Sequence, residues 1–283
     1  MQALRDSNTV HPPRAERAAR QSSTSADYWF ERLRGAEPLI LSIKPKAGSA
    51  PDVAGSLRLD LPLQPELVRH VKRLATSSKT STFAVCVAVF KLLLMRWSGQ
   101  DDVIIGASLH QRDPSKPGSD TRGSTGRLVI LPLRTDVSGD PAFSEVLSRI
   151  HQGIVNARHH GDLAFDAFAA PPEVSHTAWT NPLFVAIVHE ASNGTARDHE
   201  GSSAALELHV GPPAAGLHCT IQGRANACEE AALHALAEQY VHLLRQIVER
   251  PDAAVSDHCL AVVSPRVHLP DATLPLKQTP LPD

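Results

Sequence analysis

The sequence contains no apolar run long enough to cross a membrane. A transmembrane helix needs about 20 mostly apolar residues, and each apolar run in this 283-residue chain is shorter than that. Near the N-terminus, Arg5, Arg14 and Arg17 stand where a secretory signal peptide would have its apolar segment. We therefore expect a cytoplasmic protein with no membrane partner.

Cysteine is scarce and scattered. The four residues are Cys86, Cys219, Cys228 and Cys259, and no two of them have the C-x-x-C spacing of a zinc or redox motif. A disulfide framework is not indicated either, since such frameworks belong to short secreted chains that cannot build a sufficient core. We expect four thiols that are buried or idle.

An excess of charge of one sign is missing as well. The chain has 28 Lys and Arg residues against 30 Asp and Glu residues, a formal net charge of -2. Proteins that bind nucleic acid present a basic surface to its phosphates, and this balance predicts no such surface. Nucleic acid is therefore not an expected partner.

The chain does have enough apolar residues, 42%, to build a core. That share and a length of 283 residues suit one large globular domain or two small ones. Residues 1–26 contain Ser, Arg, Thr and Pro and almost no large apolar residue, which predicts a disordered arm. Residues 264–283 are Pro-rich and predict an extended tail. The folded region is then residues 27–263.

Short β-rich segments bounded by Gly, Pro or Asp recur along this region. They predict about seven strands, and their density favours a single mixed sheet. The predicted strands are residues 39–41, 57–61, 102–109, 128–134, 183–189, 205–210 and 217–221.

Helical patterns alternate with these strands. Four segments are predicted to be helices: residues 65–77, 81–97, 140–160 and 229–250. Residues 81–97 are apolar almost all round, which predicts a core helix buried against the sheet. The third helix offers Asp140 as N-cap and Pro141 at its first position. Strands and helices mixed in this way indicate an α/β or α+β fold with helices covering a sheet.

The stretch "RHHGDLAFD" at 158–166 places two histidines next to a carboxylate. A metal site of His159, His160 and Asp162 is disfavoured, because neighbouring helical residues point about 100° apart and no further ligand is evident. We interpret the pair instead as the end of the third helix, with Gly161 as the left-handed residue that closes it. Leu163, Phe165 and Phe168 would then anchor the following loop.

Two other motifs are incomplete. Ser108 in "GASLH" stands where a strand is predicted to end, but the nucleophile elbow of hydrolases requires Gly at the position of His110. The segment "GSDTRGSTGR" lacks the Gly-Lys-Ser/Thr ending of a phosphate loop. The fifteen histidines, His70, His209 and His234 among them, are interpreted as surface or interface residues. Spacing alone therefore predicts no catalytic, cofactor-binding or metal-ligating residue.

In their order, the segments resemble the C-terminal half of a condensation domain of nonribosomal peptide synthetases. The stretch "DYWFERLRG" at 27–35 resembles the Tyr-Trp-x-x-x-Leu-x-Gly that opens this half. Residues 81–112 resemble its long core helix, the Ser-Gly-Gln-Asp-Asp turn and a strand that ends at Arg112. The resemblance implies the chloramphenicol-acetyltransferase-like fold and covers about residues 27–263.

Three further motifs of the family are present in altered form. The fifth lacks its Asn-Thr pair, the sixth has Gly161 for Gln and Ala164 for Pro, and the seventh has Thr180 for Arg. The residues that match are Gly126, Val129 and Arg134 in the fifth motif, His160, Asp162, Phe165 and Asp166 in the sixth, and Asn181, Pro182, Leu183 and Phe184 in the seventh.

The family's catalytic His-His-x-x-x-Asp-Gly motif is not found in this sequence. His159 and His160 cannot replace it, because Ala164 and Phe165 occupy the Asp-Gly places. In the family this motif belongs to the N-terminal lobe, and a tunnel between the lobes admits the phosphopantetheine arms of carrier proteins. The resemblance thus implies no directly bound cofactor, but an acyl or peptidyl carrier protein and its phosphopantetheine arm.

The resemblance leaves two roles open. In the first, the chain forms the acceptor-side wall of the tunnel and takes part in amide or ester formation when an N-lobe subunit or upstream synthetase segment joins it; alone it is not expected to be active. The alternative is a non-catalytic module that docks a carrier protein or another synthetase domain. The first role predicts an apolar patch where the other lobe would bind. A Ser108 hydrolase is the third and least favoured interpretation.

Overall fold

The computed structural model describes residues 14–41, 43, 55–111, 127–161, 184–190, 204–211, 216–225 and 227–260. These residues form five α-helices, six strands and a short 3-10 turn. In chain order they are α1 Arg14–Leu33, β1 Ser56–Asp60, α2 Pro65–Ser77, α3 Thr82–Ser98, β2 Asp102–Gln111, β3 Arg127–Asp136, α4 Phe143–His159, β4 Ala186–Glu190, β5 Leu206–Val210, β6 Cys219–Arg224, α5 Glu230–Glu249 and the turn Val255–Asp257.

The strands form one mixed sheet in the order β1-β6-β5-β4-β2-β3. Strand β4 is parallel to both of its neighbours, β2 and β5, and the other pairs are antiparallel. Helices packed on a mixed sheet confirm the predicted α/β (α+β) class. The prediction of a single sheet is also confirmed for the residues that the structure describes.

Side chains alternate between the two faces of the sheet, as a strand period of two requires. One face packs against the helices, and its residues, such as Ile105, Leu131 and Leu208, join the main hydrophobic core. The other face carries a second, smaller apolar cluster that includes Ile104 and Ile187. We call these the helix-covered face and the opposite face.

Helix α3 lies at the centre of the core, as its apolar sequence predicts. Every residue from Phe83 to Met95 is buried. The helix begins at a Ser81 cap, whose hydroxyl accepts a hydrogen bond from the Ala84 N–H, and it ends at Gly99 with φ 71°. The one lysine in this run, Lys91, donates to the carbonyl of Leu133, and burial holds the pKa of its ammonium well below the usual range.

No helix in the described part of the chain is by itself long and apolar enough to cross a membrane. Only α2 and α3 together would meet that length and composition, and they are bent by 103° at the break between them.

The predicted disordered arm differs from the structure over half of its length. Helix α1 begins at Arg14, so residues 14–26 are helical. Tertiary contact orders the C-terminal part of this helix, because Ser25 and Trp29 are completely or almost completely buried. The remaining boundaries of arm, folded region and tail stay predictions.

The predicted strand at 39–41 is wrong. Leu39 is buried and Ile40 is exposed, so the burial alternates as it would in a strand. The backbone, however, forms hydrogen bonds with the side chain of Gln100 and not with any strand that the structure describes. The Ile40 N–H donates to Oε1 of Gln100 at 2.7 Å, and Nε2 of the same amide donates to the Pro38 carbonyl at 3.2 Å. A glutamine thus takes the place of a neighbouring strand.

The predicted N-cap Asp140 is also wrong. Helix α4 begins two residues after Pro141, and the amides of Phe143 and Ser144 donate to the backbone carbonyls of Ala253 and Pro251. Asp140 itself has a left-handed φ of 51°. Its carboxylate accepts hydrogen bonds from the backbone N–H and the hydroxyl of Ser256, at 2.8 and 2.6 Å, which lower its pKa.

Candidate functional site

The histidine pair ends helix α4, as predicted, and His160 then fastens α1. The His160 ring stacks on Tyr28 with 4.1 Å between centroids, and its Nδ1 lies 3.3 Å from the Ser25 hydroxyl. Its carbonyl accepts a hydrogen bond from the Trp29 indole at 2.9 Å. His160 caps the helix with φ -104°, and the left-handed conformation expected of Gly161 stays a prediction.

Arg134, the other family-motif residue with strong polar contacts, fastens the end of the same helix. Its guanidinium binds both carboxylate oxygens of Asp102, with Nη2 to Oδ2 at 2.6 Å, and this ion pair raises its pKa. Its Nη1 donates to the carbonyls of Arg32 and Arg34, at 3.1 and 2.8 Å. Arg134 and His160 therefore both hold α1.

Most other residues of the altered motifs lie outside the part that the structure describes. These are Arg112, Gly126, Asp162, Phe165, Asp166, Asn181 and Pro182, together with Leu163 and Phe168. Of the disfavoured metal site formed by His159, His160 and Asp162, the structure therefore describes only the two histidines. His159 and His160 meet edge to face, 4.9 Å between centroids.

Ser108 is not at the end of a strand. Strand β2 continues to Gln111, and the Ser108 residue is 1% exposed in the middle of the sheet. A nucleophile elbow needs a sharp turn between strand and helix that exposes the hydroxyl. The hydrolase interpretation therefore finds no support in the geometry.

Ser108 instead begins a row of polar residues that crosses the opposite face of the sheet. In register it neighbours His189 on β4, which neighbours His209 on β5, which neighbours Thr220 on β6. The row ends on β1, where Asp60 accepts a hydrogen bond from the Thr220 hydroxyl at 2.7 Å. Polar side chains in the interior of a domain require partners.

The densest part of this row is a cluster of two histidines and one glutamate. Nε2 of His189 and Nε2 of His209 each lie 3.2 Å from the same atom, Oε2 of Glu207. The two imidazole rings are stacked 4.5 Å apart and only 9° from parallel. His189 and Glu207 are 4% and 5% exposed, so the cluster is buried and reaches solvent mainly at His209.

This cluster is a chemically capable group that the sequence patterns did not reveal. The sequence suggests a surface or interface role for His209, yet Glu207 and His209 are two apart on a strand and must point to the same face. That spacing was an available signal. The second histidine could not be found in this way, because His189 becomes a neighbour only through the in-register pairing of β4 with β5.

The family model and the most similar relatives indicate the same protein family. The model of the Condensation domain family matches residues 13–263. A linear gramicidin synthase of Brevibacillus parabrevis is 28% identical over 258 residues, which are 86% of this chain and 5% of that protein. Phosphinothricin tripeptide synthetase PhsC of Streptomyces viridochromogenes is 33% identical over 167 residues, 58% of this chain and 15% of that protein.

Solved structures agree in fold. The X-domain from teicoplanin biosynthesis superposes with a TM-score of 0.69 at 19% identity, covering 87% of this chain and 60% of that chain. SgcC5 protein from Streptomyces globisporus gives a TM-score of 0.65 at 23% identity, covering 85% of this chain and 59% of that chain. At these identities the likeness concerns the fold alone. This chain spans about three fifths of these solved chains and a small part of its synthetase relatives.

Proposed function

This chain belongs to the condensation-domain family of nonribosomal peptide synthetases, and from that premise we propose that it is the C-terminal half of a condensation-type acyltransferase. The observation that carries the proposal is the family match over residues 13–263, a range that includes every described helix and strand. The chain would supply the acceptor-side wall of the substrate tunnel.

The proposal assigns the chemistry to a second lobe. That N-lobe, on the same or another polypeptide, would provide the histidine of His-His-x-x-x-Asp-Gly. The histidine would assist attack of an acceptor amine or hydroxyl on a thioester, by proton transfer or by positioning. Both reactants would arrive on the phosphopantetheine arms of acyl or peptidyl carrier proteins. This chain matches about three fifths of the length of the solved neighbours, which supports the assignment of the catalytic histidine to another lobe.

The described residues do not present a large apolar mating surface. Among them, only Phe30, Ile40 and Val155 are large apolar side chains with substantial exposure, at 67%, 69% and 44%. Phe30 belongs to α1, and Ile40 follows that helix in the chain. We propose that contact with an N-lobe involves the region of these two residues.

Reconstitution tests the proposal. The chain is mixed with an N-lobe segment that carries the His-His-x-x-x-Asp-Gly motif, and amide or ester formation between carrier-bound substrates is followed by mass spectrometry. We expect product only when both parts are present, and none when the second histidine of the N-lobe motif is replaced by alanine. Absence of both a complex and a product with N-lobes from its own biosynthetic pathway would refute the proposal.

A second candidate function is a docking module without catalysis. The first observation in its favour is that the family motifs are altered, with Gly161, Ala164 and Thr180. The second is the structural likeness to an X-domain that was solved in a complex with OxyB. That complex is a property of the X-domain protein. Pull-down with phosphopantetheinylated carrier protein separates the two functions. A docking module would bind the carrier without an N-lobe, whereas the catalytic half would require one.

A further inference from the structure

We propose that His189, Glu207 and His209 form a binding site for a divalent transition-metal ion, with zinc as the best fit. The inference concerns residues on the opposite face of the sheet and does not depend on pairing with an N-lobe. It rests on the arrangement of three ligand atoms that lie within 4.8 Å of one another.

The topology of the sheet brings the three residues together on rigid elements. Strands β4 and β5 are parallel and pair His189 directly with His209. Glu207 lies two residues before His209 on β5 and so shares its face. Ligands on neighbouring strands are held by the backbone ladder, which is the kind of support that a metal site requires.

Two of the three distances between the ligand atoms suit a tetrahedral ion, and the third, between the two imidazole nitrogens, is within 4.8 Å. Two ligand atoms that each lie about 2.0–2.1 Å from zinc at a tetrahedral angle are about 3.3 Å from each other. The two separations from Nε2 to Glu207 Oε2 are both 3.2 Å. Because the rings are 9° from parallel, binding requires them to rotate about χ2 until both nitrogens point at the ion.

The chemistry of the donors also selects the class of metal. Two imidazole nitrogens and one carboxylate suit zinc and neighbouring transition metals, whereas calcium and magnesium prefer oxygen ligands alone. Three protein ligands leave a fourth position, and the 20% exposure of the His209 side chain leaves a path by which water or a ligand could reach it.

Metal titration of the purified, tag-free chain tests the site. After treatment with a chelator, zinc is added in isothermal titration calorimetry, and cobalt is added while its visible absorption is recorded. We expect one ion per chain and a cobalt spectrum of a tetrahedral site with nitrogen and oxygen donors. An intense thiolate band would instead implicate the exposed Cys259 and overturn the assignment.

Matched variants locate the ion. Loss of a single outer partner of a ligand already weakens metal sites by about 10–100-fold, so E207Q and H209N are expected to weaken zinc binding by at least about tenfold. The control is H234A, which removes the exposed His234 beside Glu230 on α5, another pair of the same residue types. H234A should bind zinc like the wild type.

Thermal unfolding supplies a second readout. An ion that binds only the folded state raises the unfolding temperature, so zinc should stabilise the wild type and H234A but not E207Q. If H209N does not fold by circular dichroism, E207Q decides the outcome. Equal zinc affinity in the wild type and E207Q, or no stoichiometric binding by the wild type, would overturn the proposal.

Discussion

The two faces of the sheet bury different kinds of side chain. The helix-covered face is mostly apolar along β2, β3 and β5, with Ile105, Leu131 and Leu208 in the main core. The opposite face buries Ser108, His189, Glu207 and Thr220 beside a small apolar cluster. Apolar packing needs only volume and shape, whereas buried polar groups need partners in fixed positions. We therefore expect stability to come mainly from one face and chemistry from the other.

The largest expected effect is on the helix-covered face. Leu208 is fully buried in the main core, and L208A should lower the free energy of unfolding by about 2–5 kcal/mol through lost burial and a cavity. Urea denaturation followed by circular dichroism measures it. The control V155A, at a 44% exposed residue, should change stability by less than about 0.5 kcal/mol. Equal effects of the two variants would remove the basis of the comparison.

Lys91 is a charged residue buried in the core formed by the helix-covered face. Since burial lowers its pKa in the folded state, the unfolded state binds more protons between that pKa and 10.5, so Lys91 makes stability rise with pH in this window. K91M removes this contribution. Its stability relative to the wild type should fall by up to about 1.4 kcal/mol per pH unit as pH rises through the window.

Urea unfolding of both proteins at a series of pH values below 10.5 measures this difference. Taking the difference cancels the titration of the buried Cys and Tyr groups, which both proteins share. A pH-independent difference would mean that Lys91 keeps the same charge in the folded and unfolded states.

Arg134 lies on the opposite face at the edge of the sheet. Lysine cannot reproduce its bidentate contact with Asp102 or its bonds to the carbonyls before Gly35. R134K should therefore cost about 1 kcal/mol, a value reduced by partial exposure of the pair. It should also loosen α1, seen as a shift in Trp29 fluorescence. R69K, at an exposed pair with Glu66, is the control and should leave both readouts unchanged.

The smallest effect is expected for Thr220 on the opposite face. T220V keeps the shape of the side chain and removes its hydrogen bond to Asp60. Because Asp60 is exposed to solvent, water can replace the lost donor, and the loss should be about 0.5 kcal/mol. A loss as large as that of L208A would show that the polar row, and not only the core, determines stability.

The elements that sequence predicts well are those whose pattern is local. The start of α2 at Pro65 and the burial of α3 follow from neighbouring residues alone. The same local reasoning fails where a distant group supplies the partner. Gln100 pairs with the backbone at Ile40, and residues 251–253 replace the cap expected from Asp140.

The candidate site divides in the same way. Family motifs identify Arg134 and His160, but their contacts with α1 depend on residues about a hundred positions away. The cluster of His189, Glu207 and His209 forms only because β4 and β5 are paired. The sequence of neither strand shows that the other will be its neighbour in the sheet. Periodicity predicts which face a side chain occupies, and only the topology decides its neighbours.

The attachment of α1 has a mechanical consequence. Tyr28 and Trp29 are held at the end of α4, and the carbonyls of Arg32 and Arg34 are held at the edge strand. A helix clamped at two separate points cannot swivel about either one. The direction of its axis is thereby set by the body of the domain.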